Sequence, residues 1–200
     1  TTTISSTGGE IYPQAVFNGE GRFLLAGTTL TTQAVTPLRV FSAQGIVTPS
    51  TILRAAVLQP PALADVRGGT EWRLAYFDIV DGQTSLMMRT VKAGATQSAA
   101  PTLGPAVLLV SGVNADAPPS LAVDGEGNLA VSYLRGSGAG KELVVSFFSP
   151  SGKLDQTIAV AGILGATRYG VGLGPTAFDS MAIHARQTGT AAPGYPVAFQ

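Results

Sequence analysis

The chain has no cysteine, a single histidine and a single tryptophan in 200 residues. Without thiols there is no disulfide framework and no thiolate metal site. One imidazole cannot build a histidine-rich metal centre. Charge is also scarce. Only 12% of residues are charged, about half the usual share for a soluble protein. The 12 basic and 12 acidic residues balance to zero and lie scattered. Nucleic acid is therefore not an expected partner, because binding it takes grouped Lys and Arg that displace counterions. A polybasic membrane patch is missing for the same reason. Long apolar runs are lacking as well. "AVLLV" at 106–110 is far shorter than the ~20 residues that span a bilayer as a helix, so no membrane span is expected.

What the chain does have is repetition. "QAVFNGEGRFLLAG" (Gln14 to Gly27) aligns with "LAVDGEGNLAVSY" (Leu121 to Tyr133), each with Gly-Glu-Gly between two apolar runs. "PALADVRGGTEWRLAYF" (Pro61 to Phe77) is a looser copy, and "PTAFDSMAIHAR" (Pro175 to Arg186) a fourth with a shorter turn. A proline opens each copy, at Pro13, Pro61, Pro119 and Pro175. The second half of the unit also recurs. "RVFSAQG" (Arg39 to Gly45) and "SFFSPSG" (Ser146 to Gly152) share Phe-Ser-x-x-Gly, and "YPVAFQ" at the end supplies Phe199 in the place of Phe41 and Phe148. The approximate repeats are 12–54, 61–110, 119–161 and 175–200 plus 1–5, all in one domain spanning 1–200.

Each unit reads as strand, glycine turn, strand, polar loop, strand, glycine turn, strand. The apolar runs are short, rich in Val and aromatics, and bounded by Gly and Pro. Asp or Asn followed by Gly is hairpin-turn chemistry, so "DGEGN" at 124–128 reads as a turn. A calcium loop would need more oxygen ligands than this one offers. After the turn the copies form columns: Phe23, Trp72, Leu129 and Met181, then Leu25, Leu74, Val131 and Ile183 two residues on. A small column, Ala26, Ala75, Ser132 and His184, falls on the opposite face. Strands apolar on both faces require sheets stacked on both sides. Four-stranded units of roughly 50 residues with that property fit a β-propeller. The expected fold is all-β, a four-bladed propeller of four-stranded antiparallel blades. Its ring is closed by the N-terminal strand, Thr1–Ser5, pairing with the C-terminal blade, which removes a bare sheet edge. The alternative is part of a larger ring of six to eight blades.

"PQAVFNGEGRFLLAG", "PSLAVDGEGNLAVSYL", "RVFSAQG" and "SFFSPSG" resemble the repeats of a propeller family common in secreted proteins of myxobacteria and related groups. That pattern runs Pro-x-Val-Ala-Phe-Asp-Gly-x-x-Tyr-Leu-Val-x-Trp and later Phe-Ser-x-x-Gly. Where it has Trp, this chain has Gly27, Tyr76, Tyr133 and Ala185. The resemblance covers nearly the whole chain. It implies a secreted or cell-surface location and binding rather than catalysis.

The sequence offers little chemistry. His184 stands in the small column, and no Gly-x-Ser-x-Gly elbow accompanies it. The acids Asp65, Asp78, Asp81, Asp116, Asp124, Glu126, Asp155 and Asp179 mostly fall in or beside turns, where Asp is ordinary. "DVRGGTEW" (Asp65 to Trp72) only faintly echoes a sialidase box. No phosphate-binding glycine loop is present, and no cofactor or metal is expected. In a propeller the loops between second and third strands, and between blades, gather on one face. Here they are 29–35, 78–84, 135–141 and 187–194, with 55–60, 112–118 and 165–174. Loops on a rigid scaffold are where function sits. The ligand-binding candidates are therefore Asp78, Asp81, Asp116, Arg168 and Tyr169, and "GILGATRYGVGLG" (162–174) is the first choice for an inserted contact loop. The expected function is a non-catalytic extracellular binding or assembly module contacting protein or glycan. Two alternatives stand beside it: a structural subunit that self-associates by strand exchange through the incomplete blade four, and a secreted glycoside hydrolase or sialidase-like enzyme.

Overall fold

The computed structural model describes residues 11–18, 20–30, 32, 34–42, 44–66, 70–96 and 98–160, together with the backbone of strands at 166–173, 181–187 and 197–199. Within these residues the chain is all-β. The one helical element is a 3-10 turn at Gly138–Gly140.

Four antiparallel sheets follow one another in chain order. The first holds β1 (Ile11–Phe17), β2 (Phe23–Leu30), β3 (Ala34–Phe41) and β4 (Thr51–Ala55). The second holds β5 (Ala62–Asp65), β6 (Glu71–Val80) and β7 (Gln83–Lys92), whose outer edge pairs with β8 (Thr102–Leu103) and then β9 (Val107–Ser111). The third holds β10 (Ser120–Val123), β11 (Leu129–Arg135), β12 (Glu142–Phe148) and β13 (Leu154–Val160). The fourth holds β14 (Ala166–Leu173), β15 (Met181–Gln187) and β16 (Val197–Phe199). Each is a meander in which neighbours in sequence are neighbours in space, as short turns dictate. The shared register shows the repeat directly. Phe23 pairs with Phe41, Leu129 with Phe148 and Met181 with Phe199.

The turns are set by the residues that recur. Asn18 Oδ1 accepts from the amides of Glu20 and Arg22, both at 3.0 Å, and Asp124 Oδ1 accepts from those of Glu126 and Asn128, both at 2.9 Å. Gly21 and Gly127 supply the positive φ, 72° and 85°, that closes each turn. Asp124 is fully buried, and its Oδ2 also accepts from Asn128 Nδ2 at 2.9 Å. Every oxygen of "DGEGN" that could face a ligand from Asp124 is thus spent on the turn itself. Ser42 and Ser149 do the same work in the second turn type, each hydroxyl accepting the amide four residues on.

Both faces of the middle sheets are apolar, so the sheets stack. The face of the second sheet that looks back to the first carries Leu63, Trp72, Leu74, Tyr76, Met87 and Val91, packed on Leu24, Leu38, Val40 and Leu53 of the first. Its forward face carries Ala62, Ala75, Phe77, Leu86 and Met88, packed on Leu129, Val131, Tyr133 and Phe148 of the third. Ala26, Ala75 and Ser132 of the small column are all buried on forward faces. First strands lie side by side: β1 against β5, β5 against β10, β10 against β14. The sheets therefore converge along their first strands. Two pairs of buried hydroxyls bond within sheets, Thr28 with Thr36 at 2.9 Å and Tyr133 with Ser146 at 3.0 Å. Burial pushes the Tyr133 phenol up, outweighing the Ser146 hydrogen bond.

The structure departs from expectation in the fourth unit. Its first strand is β14, at 166–173, ahead of Pro175 rather than after it. Gly170 and Gly172 disguise this segment as a loop, since glycine is depleted in strands. The N-terminal strand 1–5 and its pairing with the last blade lie outside the described residues. Among the described residues no ladder joins the first sheet to the fourth.

Candidate functional site: the loop face

One end of the second and third sheets gathers the linkers 56–61 and 112–119, the β6–β7 turn and the β11–β12 loop 136–141. Three of the five candidate residues come together here. Asp78 is not in a loop but in β6, near its end, because β6 and β7 pair as far as Val80 and Gln83. Its Oδ1 accepts from the amides of Ala56 and Ile79, both at 2.9 Å. It pins the linker between the first two sheets. Asp81 and Gly82 form the whole two-residue turn, with φ of 50° and 76°. Two successive positive φ values mark the primed hairpin turn that matches strand twist, and Asp-Gly is its preferred sequence. Asp81 is exposed.

Asp116 stands in the next linker. Its amide donates to Asn114 Oδ1 at 2.8 Å, and its carboxylate Oδ2 accepts from Lys141 Nζ. The Lys141 hydrogen bond holds its carboxyl below the usual carboxylate range, against a smaller opposing effect of burial. The Asp116 side chain is 61% exposed, so the pair orders two loops more than it stabilises the fold. It acts only while Asp116 is ionised and is lost as pH falls through that depressed value.

Neutral side chains, none of them singled out by the sequence pattern, complete the stitching. Gln59 Nε2 donates to the Ala115 carbonyl at 2.7 Å, linking one linker to the other. Asn114 Nδ2 donates to the Gly136 carbonyl at 2.9 Å, linking the second to the β11–β12 loop. Gly136 has φ 78°, and a Cβ there would sit 2.4 Å from the Gly140 carbonyl oxygen, so the loop closes tightly on itself. Arg135 and Glu142 pair across its base at 2.7 Å.

Arg168 and Tyr169 are not loop residues. They lie in β14, in register with Arg186 and Ala185 of β15, and their side chains fall outside the described residues. The strand rather than loop placement follows from the ladder that 166–173 forms with β15. His184 stands opposite Gly170 in the same ladder. Trp72, a potential stacking platform by type, is wholly buried between sheets.

The face presents fixed carboxylates, amides and two cations. Among the described residues no group of three or more His, Asp or Glu is placed to hold a metal ion. No described helix is long and apolar enough to cross a membrane. At the opposite end a small cleft between the first two sheets is lined by Arg22, Val40, Ser42, Thr48, Gly94 and Thr96. Its one charged group, Arg22, lies 3.5 Å from Glu20.

No protein-family model matches the chain, and no curated protein matches it. Among solved structures it is similar to the β-propeller domain of the Trilobed protease from Pyrococcus furiosus, which has an open velcro topology. The identity is 9% and the TM-score 0.46, over 96% of this chain and 58% of the other. The chain thus spans somewhat more than half the length of that structure.

Proposed function

We propose that this chain is a propeller-type module that binds protein or glycan through the loop face, outside the cell, without catalysing a reaction. The observation that carries the reading is the stitching. Asp78 ties the first linker to β6, and Gln59, Asn114 and Asp116 each tie one loop to another, as far as the β11–β12 loop. A surface fixed in advance loses little entropy on binding, which is what recognition requires. The acids also suit recognition better than hydrolysis. A glycosidase needs one carboxyl kept protonated near neutral pH. Asp116 is shifted the opposite way by Lys141, and Asp78 is committed to two amides.

A glycan array probed with the intact chain, beside the Asp81→Asn/Lys141→Ala variant, tests this. The Asp81→Asn change keeps a side chain that tolerates the positive φ of 50° there, and Lys141 loses only a solvent-screened ion pair, so the melting temperature stays within a few degrees. Affinity for whichever glycan binds falls by about tenfold or more, the ~1.4 kcal/mol expected of lost polar contacts. Undiminished binding by the variant contradicts the loop-face reading. So does an array on which the intact chain binds nothing and a phage-displayed peptide library that yields no loop-face binder.

A further inference from the structure

We propose that the cleft between the first two sheets, at the end away from the loop face, binds one sulfate-type oxyanion, free or as an ester. This goes beyond the loop-face reading and does not depend on it. Three segments build the cleft. Arg22 comes from the β1–β2 turn, Val40, Ser42 and Thr48 from β3 and the residues after it, and Ala93, Gly94 and Thr96 from the residues after β7. Gly94 lets the last of these close up, because a Cβ there would lie 2.5 Å from the Ala99 carbonyl oxygen. The cleft encloses about 220 Å³ with its open mouth included, less than the roughly 300–1,000 Å³ of a site for a whole small molecule. It has room for one polar group.

Its backbone groups are already engaged. The carbonyls of Val40, Ser42 and Thr96 accept from the amides of Thr48, Gly45 and Ala99. The amides of Ser42 and Val40 donate to the Ile46 carbonyl and to Thr48 Oγ1. What remains is a set of donors. Ser42 and Thr48 are buried, at 8% and 5% exposure. Ser42 Oγ accepts from the amides of Gln44 and Ile46 at 3.2 Å, and Thr48 Oγ1 from that of Val40 at 3.0 Å. Among the described residues neither hydroxyl passes its own hydrogen to an acceptor. A buried hydroxyl hydrogen without an acceptor marks a place for one. Arg22 adds the charge. Its Nε lies 3.5 Å from Glu20 Oε2, and Glu20 is 43% exposed, so that pair is weak. The two Nη groups have no partner among the described residues.

Donors without acceptors select an anion that only accepts. Sulfate has no proton at neutral pH, whereas phosphate keeps one that needs an acceptor in the lining. A guanidinium fork grips two oxygens of such an anion and leaves the others for the two hydroxyls. The repeat shows that this set is not required by the turns. In the third sheet Asn128 holds the place of Arg22, and its side-chain amide is committed to Asp124 Oδ2 at 2.9 Å. Asp155 there holds the place of Thr48, counted from Phe148 and Phe41, and a carboxylate repels an anion. The turn needs only the Arg22 backbone amide, which donates to Asn18 Oδ1. The cationic side chain is therefore an addition of the first unit.

Equilibrium dialysis of the intact chain against labelled sulfate, with chloride holding ionic strength constant, tests this. One sulfate per chain is expected, with a Kd of about 1 mM or tighter. Methyl sulfate as competitor separates the sources: displacement means that the site also takes an ester, and no displacement restricts it to the free ion. Arg22→Gln keeps the turn amide and is expected to stay folded, with sulfate binding weakened about tenfold or more. Glu20→Gln removes the competing carboxylate and should tighten binding severalfold, a gain that a purely structural Arg22 would not give. An intact chain that binds no sulfate overturns the proposal. So does binding that Arg22→Gln leaves undiminished or that Glu20→Gln weakens. Phosphate held more tightly than sulfate at neutral pH would contradict the donor-only lining and overturn it as well.

Discussion

Alanine at Trp72 lowers the unfolding free energy by about 3–5 kcal/mol, measured as a drop in urea midpoint with unchanged slope. The indole is wholly buried where the first and second sheets meet, among Leu24, Val40, Leu74 and Val91. Removing it leaves a cavity that two ladders of hydrogen-bonded strands cannot collapse to fill. It also strands a polar group. Nε1 donates to the Val16 carbonyl at 3.0 Å, and that carbonyl belongs to β1, the innermost strand of the neighbouring sheet. Trp72→Phe separates the two contributions. It restores most of the bulk but not the donor, and costs about 1–3 kcal/mol. If Trp72 were instead a surface platform for a ligand, either change would leave stability nearly untouched.

The second large effect belongs to the next interface. Phe148→Ala costs a similar 3–5 kcal/mol or so, because its ring is wholly buried with Leu129 against the forward face of the second sheet. Trp72 and Phe148 sit in different clusters on opposite faces of the second sheet. Their costs should therefore add to within about 0.5 kcal/mol. The sum approaches the whole stability of an ordinary domain, roughly 5–15 kcal/mol. The double variant is expected to be largely unfolded without denaturant, by near-ultraviolet circular dichroism. A double variant no less stable than either single one would mean that the two rings share one cavity, which the stacked-sheet arrangement forbids.

Much of this architecture is legible in the residues because it depends on local chemistry. Asn18 and Asp124 announce their turns, since each side chain caps amides only two and four residues away. The columns through Trp72 and Leu129 announce buried faces because a strand alternates with period two. Phe199 announces a third strand by repeating Phe41 and Phe148, and the register of β15 with β16 agrees. Where the local signal misleads, the structure differs. Gly170 and Gly172 speak for a loop, yet ladder hydrogen bonds to β15 hold them in a strand.

The loop face is less legible. Asp78 and Asp116 look like free loop acids, but their partners Ala56 and Lys141 lie 22 and 25 residues away, and no local pattern foretells such a contact. Gln59 and Asn114 carry no motif at all. The packing of the first sheet's backward face is the least legible feature. Phe23 and Leu25 are as apolar as Trp72 and Leu74, so composition makes the four equivalent. Only packing shows that Trp72 and Leu74 are wholly buried while Phe23 and Leu25 are half-buried.

The sheets fan out from adjacent first strands. Because the chain has no cysteine, spin labels can be placed at chosen pairs without background. Glu20 and Glu126 lie in the turns after the first strands of the first and third sheets, and Gln44 and Ser151 lie in the turns after the third strands, all exposed at the same end. Double electron–electron resonance should give a clearly shorter distance for Glu20→Cys/Glu126→Cys than for Gln44→Cys/Ser151→Cys. Equal distances in the two pairs would mean parallel layers, and would contradict the account.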